Sequence, residues 1–356
     1  MTIDELYMHR CLELAKLGAG YVAPNPMVGA VLVRDDRIIG EGYHQRYGEA
    51  HAEPNCIASV KKEDQYLISQ SVMYVSLEPC VHFGKTPPCA DLIIRNKIPK
   101  VIIGCRDPFE RVNGRGIEKL REAAIDVEQG ILEEDCTDLN KRFFTFHTKR
   151  RPYIILKWAQ TANGFIATSP QTPLERRGEQ QRLLITNEFT NRLVHKWRSE
   201  GAAILVGTNT ALADDPQLTT RLWAGNSPIR LVVDMNLRLP LSLKIFSSEA
   251  KTIGFTKTKH EEEDNILFYQ VTDDVSLVHQ ISNALYQLSI QSVIVEGGAK
   301  LLQSFIDEGL WDEARIINNE ELIINNGLAA PTLSNYAIAH KQRIFTDTIW
   351  ICKPAS

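Results

Sequence analysis

A His-Ala-Glu triplet at 51–53, a Pro-Cys pair at 79–80 and a second cysteine at 89 constrain this chain more than any other feature. His51, Cys80 and Cys89 are three soft or borderline donors, and Glu53 is a carboxylate that need not join them. Zn²⁺ held by three protein ligands keeps a fourth position for water and lowers the pKa of that water toward about 7. Glu53 lies two residues beyond His51, in the first turn of an expected helix. From there it reaches the water and a leaving amine without binding the metal, takes the water's proton and returns it to the departing nitrogen. A structural zinc site would normally want four protein ligands, and His82 is the candidate fourth. Taken singly, a His-x-Glu is most often helical surface and a cysteine pair eight residues apart is two core cysteines. The combination, with Pro79 at an expected strand end, points to an open hydrolytic zinc site.

The pattern around these residues is that of a layered α/β domain. Residues 4–18 place Leu6, Cys11, Leu12, Leu14 and Ala15 largely on one helical face. Strands are expected at 28–33 and 38–42, joined as a hairpin by Asp35-Asp36. A helix is expected from His51 through Val60, a strand at 72–77 that delivers Glu78-Pro79-Cys80, a helix at 91–96, a strand at 101–104 and a helix at 116–124. At Lys149-Arg150-Arg151-Pro152 the pattern resets, as charge followed by proline suits a linker. The chain therefore divides into 1–147 and 148–356, as its 356 residues would suggest. The second part has strands expected at 153–159, 203–207, 230–234, 252–255 and 292–295, and helices near 187–200, 276–288 and 299–307. The polar stretch 168–181 reads as a long mobile loop.

Composition narrows the partners. With 44% hydrophobic and 24% charged residues and a net charge of −4, the chain is globular and shows no nucleic-acid footprint. No apolar run approaches a membrane span and the N-terminus lacks a signal-peptide core, so a cytoplasmic protein with no membrane partner is expected. Seven cysteines in a reducing compartment do not suggest a disulfide frame. Cys11, Cys56, Cys105, Cys136 and Cys352 have no mutual ligand spacing and read as small buried hydrophobes.

The triplet and cysteines approximate the zinc deaminase signature, in which two residues separate the cysteines; here eight do. The runs APNPMVGAVLV (23–33), Gly42-Tyr43-His44, HAE and EPCVHFGKTPPC (78–89) closely resemble the deaminase half of the bifunctional riboflavin-biosynthesis deaminase/reductase family. The long insert between the cysteines marks that branch of the cytidine-deaminase-like superfamily. The resemblance implies a three-layer α/β/α domain and hydrolytic loss of the 2-amino group from a diaminopyrimidinone carrying a ribosylamino 5′-phosphate. It also implies that Asn25, His44, His82, Lys85 and Asp107 line the substrate pocket. Asn offers a donor and an acceptor to a pyrimidine edge, and Lys85 is a point charge suited to phosphate; alone, Lys85 would be a solvated surface lysine. The stretch Asp107-Pro108 to Gly116 resembles a family loop but carries Phe109 where Asn is usual, so no role is transferred to Phe109. Its glycines equally suit a plain turn before the next helix.

The C-terminal half resembles the family's reductase domain, implying a dihydrofolate-reductase-like α/β fold. The resemblance is carried by LKWA (156–159), TANG (161–164), ILVGTNT (204–210), ADDPQLTTR (213–221) and VEGG (295–298). It implies hydride transfer from NADPH to the ribose C1′, opening the sugar to ribityl. Lys157, Arg198, Leu218, Arg221 and Glu296 are the implied substrate residues, with the arginines forked onto the phosphate. Ala159, Leu184, Thr210, Asp214, Gly297, Gly298, Ala299 and Lys300 are the implied cofactor residues. Gly297-Gly298 alone would more often be a turn, but its place after a strand and before a helix suits a pyrophosphate. The family pattern Gly-x-Ser-x-Trp-Ile-Thr is altered: Gly178 to Thr186 is longer and lacks both the Ser and the Trp. That departure keeps open a deaminase with a non-catalytic binding or dimerisation module; a nucleotide or tRNA deaminase with an appended domain is the other alternative. A homo-oligomer, dimer or tetramer, acting on a small phosphoribosyl pyrimidine is expected.

Overall fold

The structure, a computed structural model, describes residues 1–168 and 184–355. The expected loop from 169 onward, and the 178–183 part of the altered run, lie outside the described residues. The chain divides into two compact units, Met1–Arg151 and Pro152–Ser356. The division falls beyond the expected 147 because the last helix of the first unit continues to Lys149.

The first unit contains α1 (Ile3–Lys16), β1 (Gly29–Arg34), β2 (Arg37–Tyr43), α2 (Ala52–Ala58), β3 (Val72–Leu77), α3 (Cys89–Arg95), β4 (Lys100–Cys105), α4 (Arg115–Glu122), β5 (Asp126–Gln129), α5 (Glu133–Leu139) and α6 (Lys141–Lys149). Its sheet has the order β2-β1-β3-β4-β5. β1 pairs antiparallel with β2 and β3, whereas β3-β4 and β4-β5 are parallel. The apolar runs of β1, β3 and β4 are continuous because both faces are covered. Ala30, Leu32, Met73, Val75, Val101 and Ile103 pack with residues of α2, α3 and α4 on one face. Val31, Val33, Tyr74 and Ile102 pack with α1 and Cys136 of α5 on the other. This is the expected three-layer arrangement. The two helices at 133–149 are additional; EEDCTDL is too charged to show an apolar stripe, whereas KRFFTFHTK buries Phe143 and Phe146, a signal that was readable in the sequence. Cys11, Cys56, Cys105, Cys136 and Cys352 are buried free thiols.

The second unit contains β6 (Tyr153–Gln160), β7 (Phe165–Thr168), α7 (Glu188–Glu200), β8 (Ala203–Gly207), α8 (Thr208–Asp214), β9 (Ile229–Val233), β10 (Thr252–Thr256), β11 (Glu261–Glu263), β12 (Ile266–Gln270), α9 (Leu277–Gln287), β13 (Ser292–Val295), α10 (Ala299–Asp307), β14 (Glu313–Asn319), β15 (Gly327–Ala329), β16 (Tyr336–Ile344) and β17 (Asp347–Pro354). Its large sheet runs β11-β12-β10-β9-β8-β13-β6-β14-β17-β16, and β7 pairs separately with β15. The five strands expected from sequence are the contiguous block β10-β9-β8-β13-β6, all parallel and buried. Helices α9 and α10 cover one face, α7 and α8 the other. Of the strands not expected, β11, β12, β14, β17 and β16 lie to either side of this block and β7 and β15 stand apart; β16 is exposed over nearly its whole length. Among the described residues no helix is long and apolar enough to cross a membrane.

Candidate active sites

The fold of the first unit brings the opening motif together. β3 ends at Leu77 and carries Cys80 to the start of α3, whose first residue is Cys89. His51 is the N-cap of α2, and Glu53 lies in its first turn. The donor atoms of His51, Cys80 and Cys89 lie within 4.8 Å of one another. His51 Nδ1 is 3.6 Å from Cys80 Sγ and 3.4 Å from Cys89 Sγ. Metal–sulfur and metal–nitrogen bonds of ordinary length at tetrahedral angles give an edge of about 3.5 Å, so the donor set fits zinc. A hydrogen bond with the Cys89 thiol, followed by one with His51, holds Cys80 at a pKa of about 4, and the Cys89 backbone N–H donates to Cys80 Sγ at 3.4 Å. Glu53 is 3% exposed. Burial, and then the Cys80 charge, raise its pKa against the opposing pull of His51. A raised carboxyl pKa suits a group that must both accept and return a proton.

Of the residues expected around the pyrimidine, His44 lies beside this set and Asn25 is bonded to His44. His44 lies edge-on to His51 with ring centroids 5.1 Å apart. Its Nδ1 is 3.0 Å from the Ala50 carbonyl, which only accepts, so Nδ1 carries the proton and Nε2 accepts from Asn25 Nδ2 at 3.1 Å. Burial lowers the His44 pKa and keeps the ring neutral. Lys85 Nζ sits 4.1 Å over the Tyr47 ring, beside Gly48, whose φ of +86° suits glycine. His82 has a buried Nδ1 without a hydrogen-bond partner, and its ring is 5.7 Å from that of Phe109. His82 is not within the metal-donor group, which removes it as a fourth ligand. Phe109 also packs against His147 at 4.9 Å, so an aromatic wall stands where the resemblance led us to expect Asn. Asp107 is buried; desolvation leads the shift of its pKa to about 7, and its Oδ1 accepts the Phe109 N–H at 2.7 Å.

In the second unit Arg198 of α7 and Glu296, just after β13, form a two-pronged pair at 3.1 and 2.6 Å. Burial alone would raise Glu296, but Arg198 and Lys157 outweigh it and hold the carboxyl at about 2. Desolvation lowers the Lys157 pKa, opposed by Glu296. A cavity of about 180 Å³ is lined by Arg198, Asp214, Gln217, Leu218, Arg221 and Lys244, among others. It thus gathers both expected arginines with Leu218 and Asp214. His195, one helical turn before Arg198, was not expected. Its Nδ1 accepts the Arg221 backbone N–H at 3.0 Å. Burial, then Arg198 and Arg221, push its pKa down to about 4. The missed signal was its place three residues before Arg198 on one helix face.

The expected pyrophosphate cradle also has suitable local form. Gly298 is the N-cap of α10, with φ of +77° and no side-chain cap, so the first N–H groups of Ala299 and Lys300 are not closed off by it. A Cβ on Gly297 would come within 2.8 Å of Thr210 Cγ2, and one on Gly298 within 3.4 Å of Thr210 Oγ1. These features fit a dinucleotide phosphate. Thr208 is already committed inward, donating to the Val233 carbonyl at 2.5 Å. Ala159 lies near the end of β6. Leu184 is 75% exposed, and none of the contacts above involves it. Gly298→Ala should therefore raise the KM for NADPH severalfold, about what 1 kcal/mol of positive-φ strain produces, with little change in deamination. Steady-state kinetics with varied NADPH check this.

Fold and sites define a zinc-site pyrimidine-deaminase domain followed by a nucleotide-dependent reductase domain. Residues 1–105 match the cytidine and deoxycytidylate deaminase zinc-binding region, and residues 152–319 match the RibD C-terminal domain. The chain is 38% identical to riboflavin biosynthesis protein RibD of Aquifex aeolicus, covering 96% of this chain and 94% of that one. It is 34% identical to RibD of Escherichia coli, covering 87% and 86%. A crystal structure of a diaminohydroxyphosphoribosylaminopyrimidine deaminase/5-amino-6-(5-phosphoribosylamino)uracil reductase from Thermotoga maritima superposes with TM-score 0.87, 37% identity and 99% coverage of both chains. Acinetobacter baumannii RibD superposes with TM-score 0.88 at 29% identity, again over 99% of both. The chain belongs to the RibD family of bifunctional riboflavin-biosynthesis enzymes.

Proposed function

We propose that this enzyme removes the 2-amino group of 2,5-diamino-6-(5-phosphoribosylamino)pyrimidin-4(3H)-one as ammonia. It then reduces the ribosyl group of the resulting uracil to ribityl. The observation that carries the first step is a three-donor set within 4.8 Å, with both sulfurs 3.4–3.6 Å from the His51 nitrogen, and a buried carboxylate beside it.

His51, Cys80 and Cys89 would hold zinc, which when bound acidifies water. Glu53 accepts the proton of the attacking water and returns it to the leaving nitrogen. Asn25 and His44 meet the pyrimidine edge through the free face of the Asn25 amide. Lys85 supplies positive charge for the 5′-phosphate, while His82 and Asp107 border the ring. In the second unit Arg198 and Arg221 receive the same phosphate on the deaminated intermediate, with Leu218 against its apolar surface. Lys157 and Glu296 orient the ribose. Gly297, Gly298, Ala299 and Lys300 with Thr210 and Asp214 hold NADPH, which supplies the hydride; Ala159 and Leu184 flank it. We place the enzyme in the cytoplasm as a homo-oligomer, for which solution mass is the test.

Stripping zinc with a chelator should abolish ammonia release and leave NADPH oxidation with supplied deaminated intermediate intact. Zinc, added back, should restore deamination. Ammonia release that survives complete metal removal would overturn the reading of the first site.

A further inference from the structure

Glu78 is 3% exposed and stands between the end of β3 and Cys80. Its carboxylate accepts backbone N–H groups from a segment distant in sequence. Oε1 takes Gly116 N at 2.8 Å and Ile117 N at 3.4 Å. Oε2 takes Gly114 N at 2.9 Å and Asp107 N at 3.2 Å. The N-cap of α4 is Gly114, which has no side chain to close the helix. Glu78 therefore caps that helix from another strand, where a carboxylate also meets the positive end of the helix. The packing admits no slack: a Cβ on Gly116 would lie 2.1 Å from the Pro79 carbonyl oxygen. The Glu78 backbone N–H, in turn, donates to the Cys105 carbonyl at 3.0 Å.

The tethered segment carries Asp107 and Phe109. Asp107 is bonded to Glu78 through its own N–H and to Phe109 through its carboxylate. Phe109 is the ring against which His82 packs. One side chain thus joins the strand end bearing Cys80 to the turn that borders the expected substrate pocket.

We propose that Glu78 is a positioning residue of the deaminase, setting the 107–117 turn in register with the Cys80 end of β3 so that Asp107 and Phe109 face the substrate. The proposal rests on the deaminase reading of this unit. In the full-length zinc enzyme, Glu78→Gln keeps the volume but turns one acceptor into a donor facing N–H groups. It should raise the KM for the diaminopyrimidinone roughly tenfold to a hundredfold, the loss expected for charged hydrogen bonds. Zinc content, kcat and NADPH oxidation on supplied deaminated intermediate should change little. Glu78→Asp, which keeps both acceptors, should recover part of the KM. An unchanged KM in Glu78→Gln, or a KM effect that appears only with loss of zinc, overturns the proposal. The wild-type enzyme provides a test that no folding defect can confound. The amides of Gly114, Gly116 and Ile117 should exchange slowly with solvent deuterium, and exchange at loop rates overturns the proposal. Failure of the wild-type enzyme to release ammonia would instead refute the deaminase reading and leave the exchange result standing.

Discussion

Glu53→Gln should lose deamination by roughly a thousandfold or more while retaining zinc, because it removes the group proposed to move protons without touching a donor to the metal. The metal-donor group consists of His51, Cys80 and Cys89, and Glu53 stands outside it. Glu53 is buried and its carboxyl pKa is raised, so a neutral amide of equal size relieves desolvation and the fold should persist. The measurement pairs ammonia release with zinc content by atomic absorption. Loss of zinc together with activity would make Glu53 a structural part of the metal site; retained activity would remove it from the chemistry. NADPH oxidation on supplied deaminated intermediate should be unaffected in either case.

Arg198→Met has the largest expected effect on the second unit. It removes one partner of the buried Arg198–Glu296 pair, whose side chains are 13% and 7% exposed. Leaving a carboxylate buried without its partner costs about 3–5 kcal/mol. Reductase turnover should collapse as well, because Arg198 lines the cavity assigned to the phosphate. The double variant Arg198→Met/Glu296→Gln should recover much of the stability and none of the activity. Recovery of both would place the pair outside the site. The pH dependence follows the same logic. In the folded protein Glu296 is held at about 2, below its ordinary 4.5. Its contribution is therefore complete above about pH 4.5 and is lost as pH falls toward 2. Denaturant unfolding followed from pH 6 down to pH 3 should show this loss in the wild type and much less of it in the double variant.

The first site was legible in the sequence because its donors mark boundaries of regular elements. His51 caps α2, Cys80 follows β3 and Cys89 opens α3, so local pattern and chemistry coincide. The central strands of both sheets were legible for a related reason: burial on both faces leaves an uninterrupted apolar run, as in 72–77 and 203–207. β14 was not legible, since its EARIINN carries Glu313 and Arg315 near its start, which pair in the interior at 2.6 Å. β16 was missed because polar residues interrupt it, whereas β17 was missed although its apolar run at 349–352 is a readable strand signal. Glu78 and His195 escaped for a different reason. Each acts on backbone N–H groups brought close only by tertiary folding, and no spacing in the chain announces such a partner. The altered 178–186 run suggested a non-catalytic second unit. The match of residues 152–319 to the RibD C-terminal domain, and the identity to RibD relatives over nearly the whole chain, instead speak for a reductase.

The most direct test supplies the purified chain, loaded with zinc, with the phosphoribosylamino diaminopyrimidinone and NADPH in one vessel. Ammonia release and NADPH oxidation are followed together. The two-step account predicts that ammonia appears first and that NADPH is then consumed in equal amount, yielding the ribitylamino uracil phosphate. Ammonia release without NADPH oxidation, or NADPH oxidation that precedes it, would contradict the account.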